Sequence, residues 1–103
     1  MVRWNEKLYY GEAMKKKHRR TIHAINTGRK IRNVYCIAFA SNQNNLFDIL
    51  PASELNKPHL KNTEIQIIGL ALGKDEATMV VQEMILEVYR ATGEFKVREY
   101  FSR

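Results

Sequence analysis

The sequence predicts an α/β fold, with α+β as the alternative, built on a mixed sheet of three or four strands. The main observation is a strand–helix–strand pattern in residues 65–101, which forms a C-terminal β-α-β unit. A second apolar run, residues 34–40, is typical of a strand buried on both faces. A third observation is a basic helical pattern in residues 12–27. The 103 residues are expected to form one domain, in which a basic N-terminal arm and helix (residues 1–32) precedes an α/β body (residues 33–103).

Residues 75–92 give the clearest helix, with Asp75 as the predicted N-cap and Gly93 as the left-handed residue that ends it. Its apolar positions recur at spacings of three and four and share one face: Ala77, Val80, Val81, Met84, Ile85 and Val88. Met79 and Leu86, a heptad apart, point almost opposite to that face. We therefore expect either the N-terminal helix or a partner chain to cover these two side chains.

The predicted sheet has four strands, residues 34–40, 46–50, 65–72 and 95–101. A cluster of Ser and Asn residues after the first strand is turn chemistry, which favours an antiparallel return by the second. Parallel strands are joined by right-handed crossovers. If the first strand runs parallel to the third, the order is second, first, third, fourth. The fourth strand alternates polar and apolar residues, which suits an edge.

Residues 12–27 are predicted to form a basic amphipathic helix that ends at Gly28. Its apolar stripe is thin and consists of Met14, His18, Thr21, Ile22 and Ile25. Because such a stripe cannot hold a helix alone in water, we expect the helix to dock on the body. Met79 and Leu86 are one candidate surface for this contact, and the aromatic residues just upstream, Trp4, Tyr9 and Tyr10, would strengthen it together with Leu8.

The charge of the chain is uneven. Residues 1–32 hold ten Lys or Arg and two Glu, a net charge of +8, whereas the remaining residues hold seven Lys or Arg and nine acids, a net charge of −2. These two parts give the formal +6 of the whole chain. A basic arm is thus attached to a mildly acidic body.

The basic helix is the best functional indication in the sequence. Cations on its outer side and just after it could neutralise phosphates along a nucleic-acid backbone without reading base sequence. The residues predicted to do so are Lys15, Lys16, Arg19, Arg20, His23, Arg29, Lys30 and Arg32. A merely solvated face explains the same charges about equally well. The alternative function is an oligomeric protein–protein interaction module, such as a homodimer, with Met79 and Leu86 in its interface.

A ligand site, if the chain has one, is expected where the strands of an open α/β sheet end. Under the predicted order that edge would gather Asn42, Gly73, Lys74, Asp75 and Arg103. The loop from Gly69 to Asp75 is one residue too short for a phosphate-binding loop, and Asp75 stands where a hydroxyl would hold magnesium. It is better interpreted as a strand-to-helix turn, although backbone N–H groups beside Lys74 could hold an anion.

No catalytic or metal-binding constellation can be assembled from the sequence. His18 and His23 would point about 140° apart on a helix, so they are poor co-ligands. The single cysteine, Cys36, excludes an internal disulfide and lies in an apolar run, where a thiol is usually an inert filler. We therefore expect no metal and no cofactor, and a non-enzymatic protein is favoured over an enzyme.

The sequence contains no apolar run long enough to span a bilayer, and its first residues contain no apolar signal-peptide core. A cytoplasmic location without membrane partners is therefore expected.

Three segments, N-V-Y-C-I-A-F-A-S-N, I-I-G-L-A-L-G-K-D-E-A and V-R-E-Y-F, together resemble a small, uncharacterised family of bacterial proteins. The resemblance covers most of the predicted body and implies a bacterial cytosolic protein. It assigns no activity, ligand or catalytic residue to the chain.

Overall fold

The computed structural model describes residues 2–42 and 44–102, except for the side chain of Lys61. Its elements in chain order are β1 (Val2–Tyr10), α1 (His18–Asn26), β2 (Val34–Phe39), β3 (Phe47–Pro51), a 3₁₀-helix (Ala52–Asn56), α2 (Pro58–Lys61), β4 (Ile65–Leu72), α3 (Lys74–Thr92) and α4 (Val97–Phe101). The strands form one mixed sheet in the order β1-β4-β2-β3, in which β1 is parallel to β4 and the other two pairs are antiparallel. The predicted α/β class and mixed sheet are confirmed.

Two hydrophobic clusters lie on the two faces of this sheet. Successive side chains of a strand point to opposite faces, so β2 sends Ile37 and Phe39 to one cluster and Cys36 and Ala38 to the other. α3 and α4 contribute to the first cluster, whereas α1, the 3₁₀-helix and α2 contribute to the second. α1 and α3 are therefore on opposite sides of the sheet.

The inner face of α3 is close to the predicted one. Ala77, Val80, Met84 and Val88 are buried, whereas Val81 and Ile85 are only half-buried. Gly93 ends the helix with a left-handed φ of 74°, as predicted. The predicted N-cap is wrong, because α3 begins at Lys74 with Gly73 as its N-cap and Asp75 lies within the first turn.

The prediction that the N-terminal helix covers Met79 and Leu86 is wrong. α1 packs on the other face of the sheet, and the two side chains are 60% and 48% exposed. The expected stripe of α1 is otherwise present: Met14 and Thr21 are buried, and Ile22 packs against the second cluster. α1 begins at His18 instead of residue 12, and Gly28 follows its end with a φ of 73°.

The neighbours β3, β2 and β4 match the predicted order of the first three strands, but β2 runs antiparallel to β4, not parallel. The direction differs because the crossover starts from β3. The chain turns back after β2, passes through the 3₁₀-helix and α2, and enters β4 in the direction of β3. The crossover therefore joins β3 to β4 and skips β2.

The predicted last strand, residues 95–101, is also wrong. Residues Val97–Phe101 form α4, because Val97 and Phe101, at the i, i+4 spacing of a helix face, are both buried. The edge of β4 that this strand would have used is occupied by β1. β1 was not predicted, because charged residues interrupt its apolar residues and its pairing with β4 is irregular between Trp4 and Tyr9.

Asn5 holds that irregular part of β1 in place. Its side chain is 7% exposed, donates to the carbonyl oxygens of Lys7 and Phe101 at 3.0 Å each, and accepts from Gln66 Nε2 at 2.9 Å. One buried amide thus connects β1, β4 and the end of α4.

Candidate nucleic-acid interface

Side-chain contacts fix the inner side of α1. The His18 ring stacks on Tyr10 with centroids 4.5 Å apart, and its Nδ1 lies 2.7 Å from the Lys15 carbonyl oxygen. At the other end of the helix, Trp4 Nε1 donates to Asn26 Oδ1 at 2.8 Å. Since both ends of α1 are attached to the body, these contacts also determine which side of the helix faces outwards.

That outer side carries the predicted cations. Arg19, Arg20 and His23 are exposed on α1, and Lys15 and Lys16 are exposed in the turn before it. Lys15 forms an ion pair with Glu12 at 3.1 Å. Within the described part of the chain, no acidic group lies within ion-pair distance of Lys16, Arg19 or Arg20.

The segment between α1 and β2 supplies the other three predicted cations, the exposed residues Arg29, Lys30 and Arg32. None of them has an ion-pair partner among the residues that the structure describes. The segment is held by two hydrogen bonds: the Arg29 N–H donates to the Ala24 carbonyl at 2.9 Å, and Asn56 Nδ2 donates to the Gly28 carbonyl at 3.2 Å.

Lys30 and Arg32 also line a cleft of about 460 Å³, together with Tyr35, Ser53 and Lys57. Sequence reasoning missed Lys57, because it follows these cations only after the β2–β3 hairpin and the 3₁₀-helix. The pairing of Tyr35 with Pro51, the last residue of β3, brings the two chain segments together. No pattern along the sequence indicates this contact.

The predicted site at the strand ends is not brought together. Gly73, Lys74 and Asp75 follow β4 at one edge of the sheet, whereas Asn42 follows β2, which runs antiparallel and ends at the opposite edge. Arg103 lies outside the described residues.

A carboxylate from the first turn of α3 itself lies beside the N-terminus of this helix. Glu76 accepts hydrogen bonds from the backbone N–H groups of Leu72 at 2.7 Å and Ala13 at 2.9 Å. Gly11 leaves room for this carboxylate, because a Cβ at that position would clash with the Glu76 side chain. An external anion would have to compete with Glu76, so this turn is a structural junction between β1 and α3.

A second cleft, of about 380 Å³, lies at the opposite edge and mixes apolar walls with both signs of charge. Arg98 Nη2 donates to the Ala40 carbonyl at 2.9 Å, and its guanidinium lies over the Phe39 ring at 5.1 Å. Asp48 Oδ2 accepts from the Ser41 N–H at 3.0 Å. The charged groups of this cleft already have partners in the chain.

The perturbed titratable groups give no reactive centre. Burial raises the pKa of the Cys36 thiol from 9.0 to about 12, so the thiol is protonated and inert at neutral pH. Burial, and then a 2.8 Å hydrogen bond to Glu87 Oε2, raise the pKa of Tyr9 above its ordinary value. Across residues 2–42 and 44–102, no group of three or more His, Cys, Asp or Glu side chains could hold a metal ion.

The outer side of α3 is apolar and acidic. Met79, Leu86 and Tyr89 are exposed on it, and the Tyr89 ring stacks on exposed Phe95 with centroids 5.1 Å apart. Glu83 lines the shallow hollow beside Leu86.

No protein-family model, curated protein sequence or solved structure matches the chain. In the part of the chain that the structure describes, no helix is long and apolar enough to cross a membrane.

Proposed function

We propose that this chain is a small non-enzymatic protein that binds the backbone of nucleic acids through a basic surface. This surface consists of Lys15, Lys16, Arg19, Arg20, His23, Arg29, Lys30 and Arg32. The observation that supports the proposal is that the inner side of α1 is held on the body while its outer side carries Arg19 and Arg20, which have no ion-pair partner among the residues that the structure describes. In this proposal the protein acts in the cytoplasm, where both RNA and DNA offer such backbones.

The position of the cations on α1 adds to this argument. Arg19 and Arg20 lie in the first turn, which contains no acidic residue, and Lys16 and Lys17 come just before it. The N-terminus of a helix carries partial positive charge, so cations there are electrostatically unfavourable. Since these cations do not help the helix, a role in binding an external anion accounts for them better than a role in stability.

Phosphate contacts of this kind release counterions and carry no base code. If about four or five cations meet duplex phosphates, log K should fall with log salt at a slope of about −4. Binding should be similar for all duplex sequences.

The test is a fluorescence titration of duplex DNA and structured RNA at three salt concentrations. The variant Lys16→Glu with Arg19→Glu should flatten the salt slope and weaken binding to all sequences alike. The matched control is Arg90→Glu with Lys96→Glu, which makes the same change of charge near the end of α3 and should retain most of the affinity. Absence of binding at low salt, or equal losses in both double variants, would contradict the proposal.

A second candidate function is supported by a different observation, the exposure of Met79 and Leu86. Two copies of α3 packed antiparallel about Leu86 would bury both residues and place Glu83 of each copy near Arg90 of the other. The chain would then be a homodimeric interaction module.

Leu86→Glu should dissociate such a dimer in sedimentation experiments, whereas Thr78→Glu, on another side of α3, should not. A wild-type protein that is monomeric at high concentration would contradict this candidate.

A further inference from the structure

We infer that the cleft lined by Lys30, Arg32, Tyr35, Ser53 and Lys57 is a binding site for a single nucleotide unit. In this nucleotide cleft, the cations would hold the phosphate and the Tyr35 ring would contact the planar base. The ligand chemistry is the same for a free mononucleotide and for an unpaired nucleotide of a strand.

The charge of the nucleotide cleft favours an anion. Its lining includes three cations and no Asp or Glu. Lys30 and Arg32 have no ion-pair partner among the described residues, and Lys57 pairs only with Glu54, at 3.1 Å on the surface. Exposed pairs of this kind are weak, so Lys57 can turn from Glu54 to a phosphate at little cost. The Arg32 guanidinium suits two oxygens of one phosphate.

The walls of the cleft suit the rest of a nucleotide. Its volume of about 460 Å³ lies within the range of small-molecule sites, and its lining includes Tyr35, which is half-buried and also packs against the first cluster. Bases stack on aromatic rings without preference for sequence, because every base has a π-face. Ser53, also in the lining, offers a hydroxyl to the sugar or phosphate.

The cleft is held open by the fold. Tyr35 and Pro51 are paired across β2 and β3, and the Asn33 carbonyl accepts from the Gly73 N–H at 2.7 Å. Asn56 also ties the 3₁₀-helix, which contains Ser53, to the Gly28 carbonyl. A site whose walls are fixed before binding loses less conformational freedom when a ligand enters.

This inference deepens the proposed function and rests on it for nucleotides that belong to a strand, since Lys30 and Arg32 are part of the basic surface. A duplex keeps its bases stacked and cannot place one against Tyr35. The nucleotide cleft therefore predicts tighter binding to single strands and loops than to duplexes of equal length.

The first test is a calorimetric titration with adenosine 5′-monophosphate, adenosine and inorganic phosphate. The nucleotide should bind at least about tenfold more tightly than either of its parts, because only it fills both halves of the cleft. Arg32→Ala should weaken the nucleotide about tenfold. Tyr35→Leu should weaken the nucleotide but not inorganic phosphate, and Tyr35→Phe, which keeps the ring, should retain the affinity. No binding of the nucleotide at millimolar concentration, or equal binding by wild type and Arg32→Ala, would overturn the inference.

The second test separates this inference from the proposed function. Single-stranded and duplex oligonucleotides of one length are titrated against wild type, Arg32→Ala and the variant Lys16→Glu with Arg19→Glu. A single-strand preference that Arg32→Ala abolishes supports the inference. Backbone binding without nucleotide binding would overturn the inference and leave the proposed function standing. Nucleotide binding that survives the α1 charge reversal, without binding to any oligonucleotide, would overturn the proposed function and support the cleft as a site for free nucleotides.

Discussion

α1 and α3 lie on opposite faces of one sheet, and their charged residues are placed differently with respect to the helix dipole. α3 has Asp75 and Glu76 in its first turn and Arg90 in its last, which matches the helix dipole at both ends. α1 has no acid in its first turn and carries Arg19 and Arg20 there instead. The charges of α3 therefore stabilise their own helix, whereas the cations in the first turn of α1 do not, and the proposed backbone binding would account for them.

The inner sides of the two helices also differ in their means of attachment. α3, with 19 residues, buries four apolar side chains against the sheet. α1, with nine residues and one buried side chain, depends on the Trp4–Asn26 hydrogen bond, the stack of His18 on Tyr10 and its contacts with the second cluster. A helix of that length is not stable alone in water, so these tertiary contacts are what positions the basic surface.

The largest expected effects come from the two fully buried methionines, one on each face. Met84→Ala removes a side chain under α3 that is 1% exposed, and Met14→Ala removes one beside α1 that is 0% exposed. Each should lower the free energy of unfolding by about 2–5 kcal/mol. Ile85→Ala, at a half-buried position, should lower it by only about 1 kcal/mol. Urea unfolding followed by circular dichroism measures all three, and a loss below about 1 kcal/mol for Met14→Ala would mean that the α1 face is not a true core.

The sequence predicted the elements that depend on local patterns and missed those that depend on contacts between distant segments. The helical spacing of apolar residues along α3 and the apolar run of β4 are local signals, and both predictions are confirmed. β1 and α4 were missed because their structure depends on which segment takes the open edge of β4, and Asn5 stabilises the irregular strand by contacts 61 and 96 residues away. The eight cations were visible in the sequence, but the addition of Lys57 to them requires the β2–β3 pairing.

Gly11, which follows β1, contacts Glu76 of α3. Disrupting this contact should lower the free energy of unfolding by an intermediate amount. Gly11→Ala places a Cβ against the Glu76 side chain, which must then move away from its two backbone donors. The loss should be about 1–2 kcal/mol, because Glu76 would lose the hydrogen bonds that it accepts from Ala13 and Leu72.

A double-mutant cycle tests whether this clash is the cause. Glu76→Ala alone should lose a similar amount, and Gly11→Ala should add little in that background, because the clashing group is gone. Additive losses would show that Gly11 is needed for another reason.

The pH dependence of stability should report on Cys36, whose thiol points to the α1 side of the sheet. The pKa is about 12 in the folded state and ordinarily 9.0, so the unfolded chain loses this proton first as the pH rises. The contribution of the Cys36 thiol to the free energy of unfolding is largest below pH 9 and decreases as the pH rises above it. Between pH 8 and pH 10 the decrease should be about 1.4 kcal/mol. Burial also raises the pKa values of Tyr9 and Tyr10, so some decrease should remain in Cys36→Ala. A decrease of the same size in Cys36→Ala and wild type would contradict the assignment.

The smallest expected effect is the most informative about the basic surface. Lys16→Glu with Arg19→Glu replaces two exposed cations at the positive end of α1 by acids, and neither cation has an ion-pair partner among the described residues. It also relieves repulsion within a run of like charges, so the variant should be more stable than wild type, by about 0.3–1 kcal/mol at low salt. The gain should shrink at high salt, because exposed charges are screened. Urea unfolding at two salt concentrations measures it. The control is Arg90→Glu, which removes the cation of the last turn of α3 and should lower the free energy of unfolding by a few tenths of a kcal/mol. If the α1 variant is instead destabilised by more than about 1 kcal/mol, its cations hold the helix on the body, and the main support for a binding role would be lost.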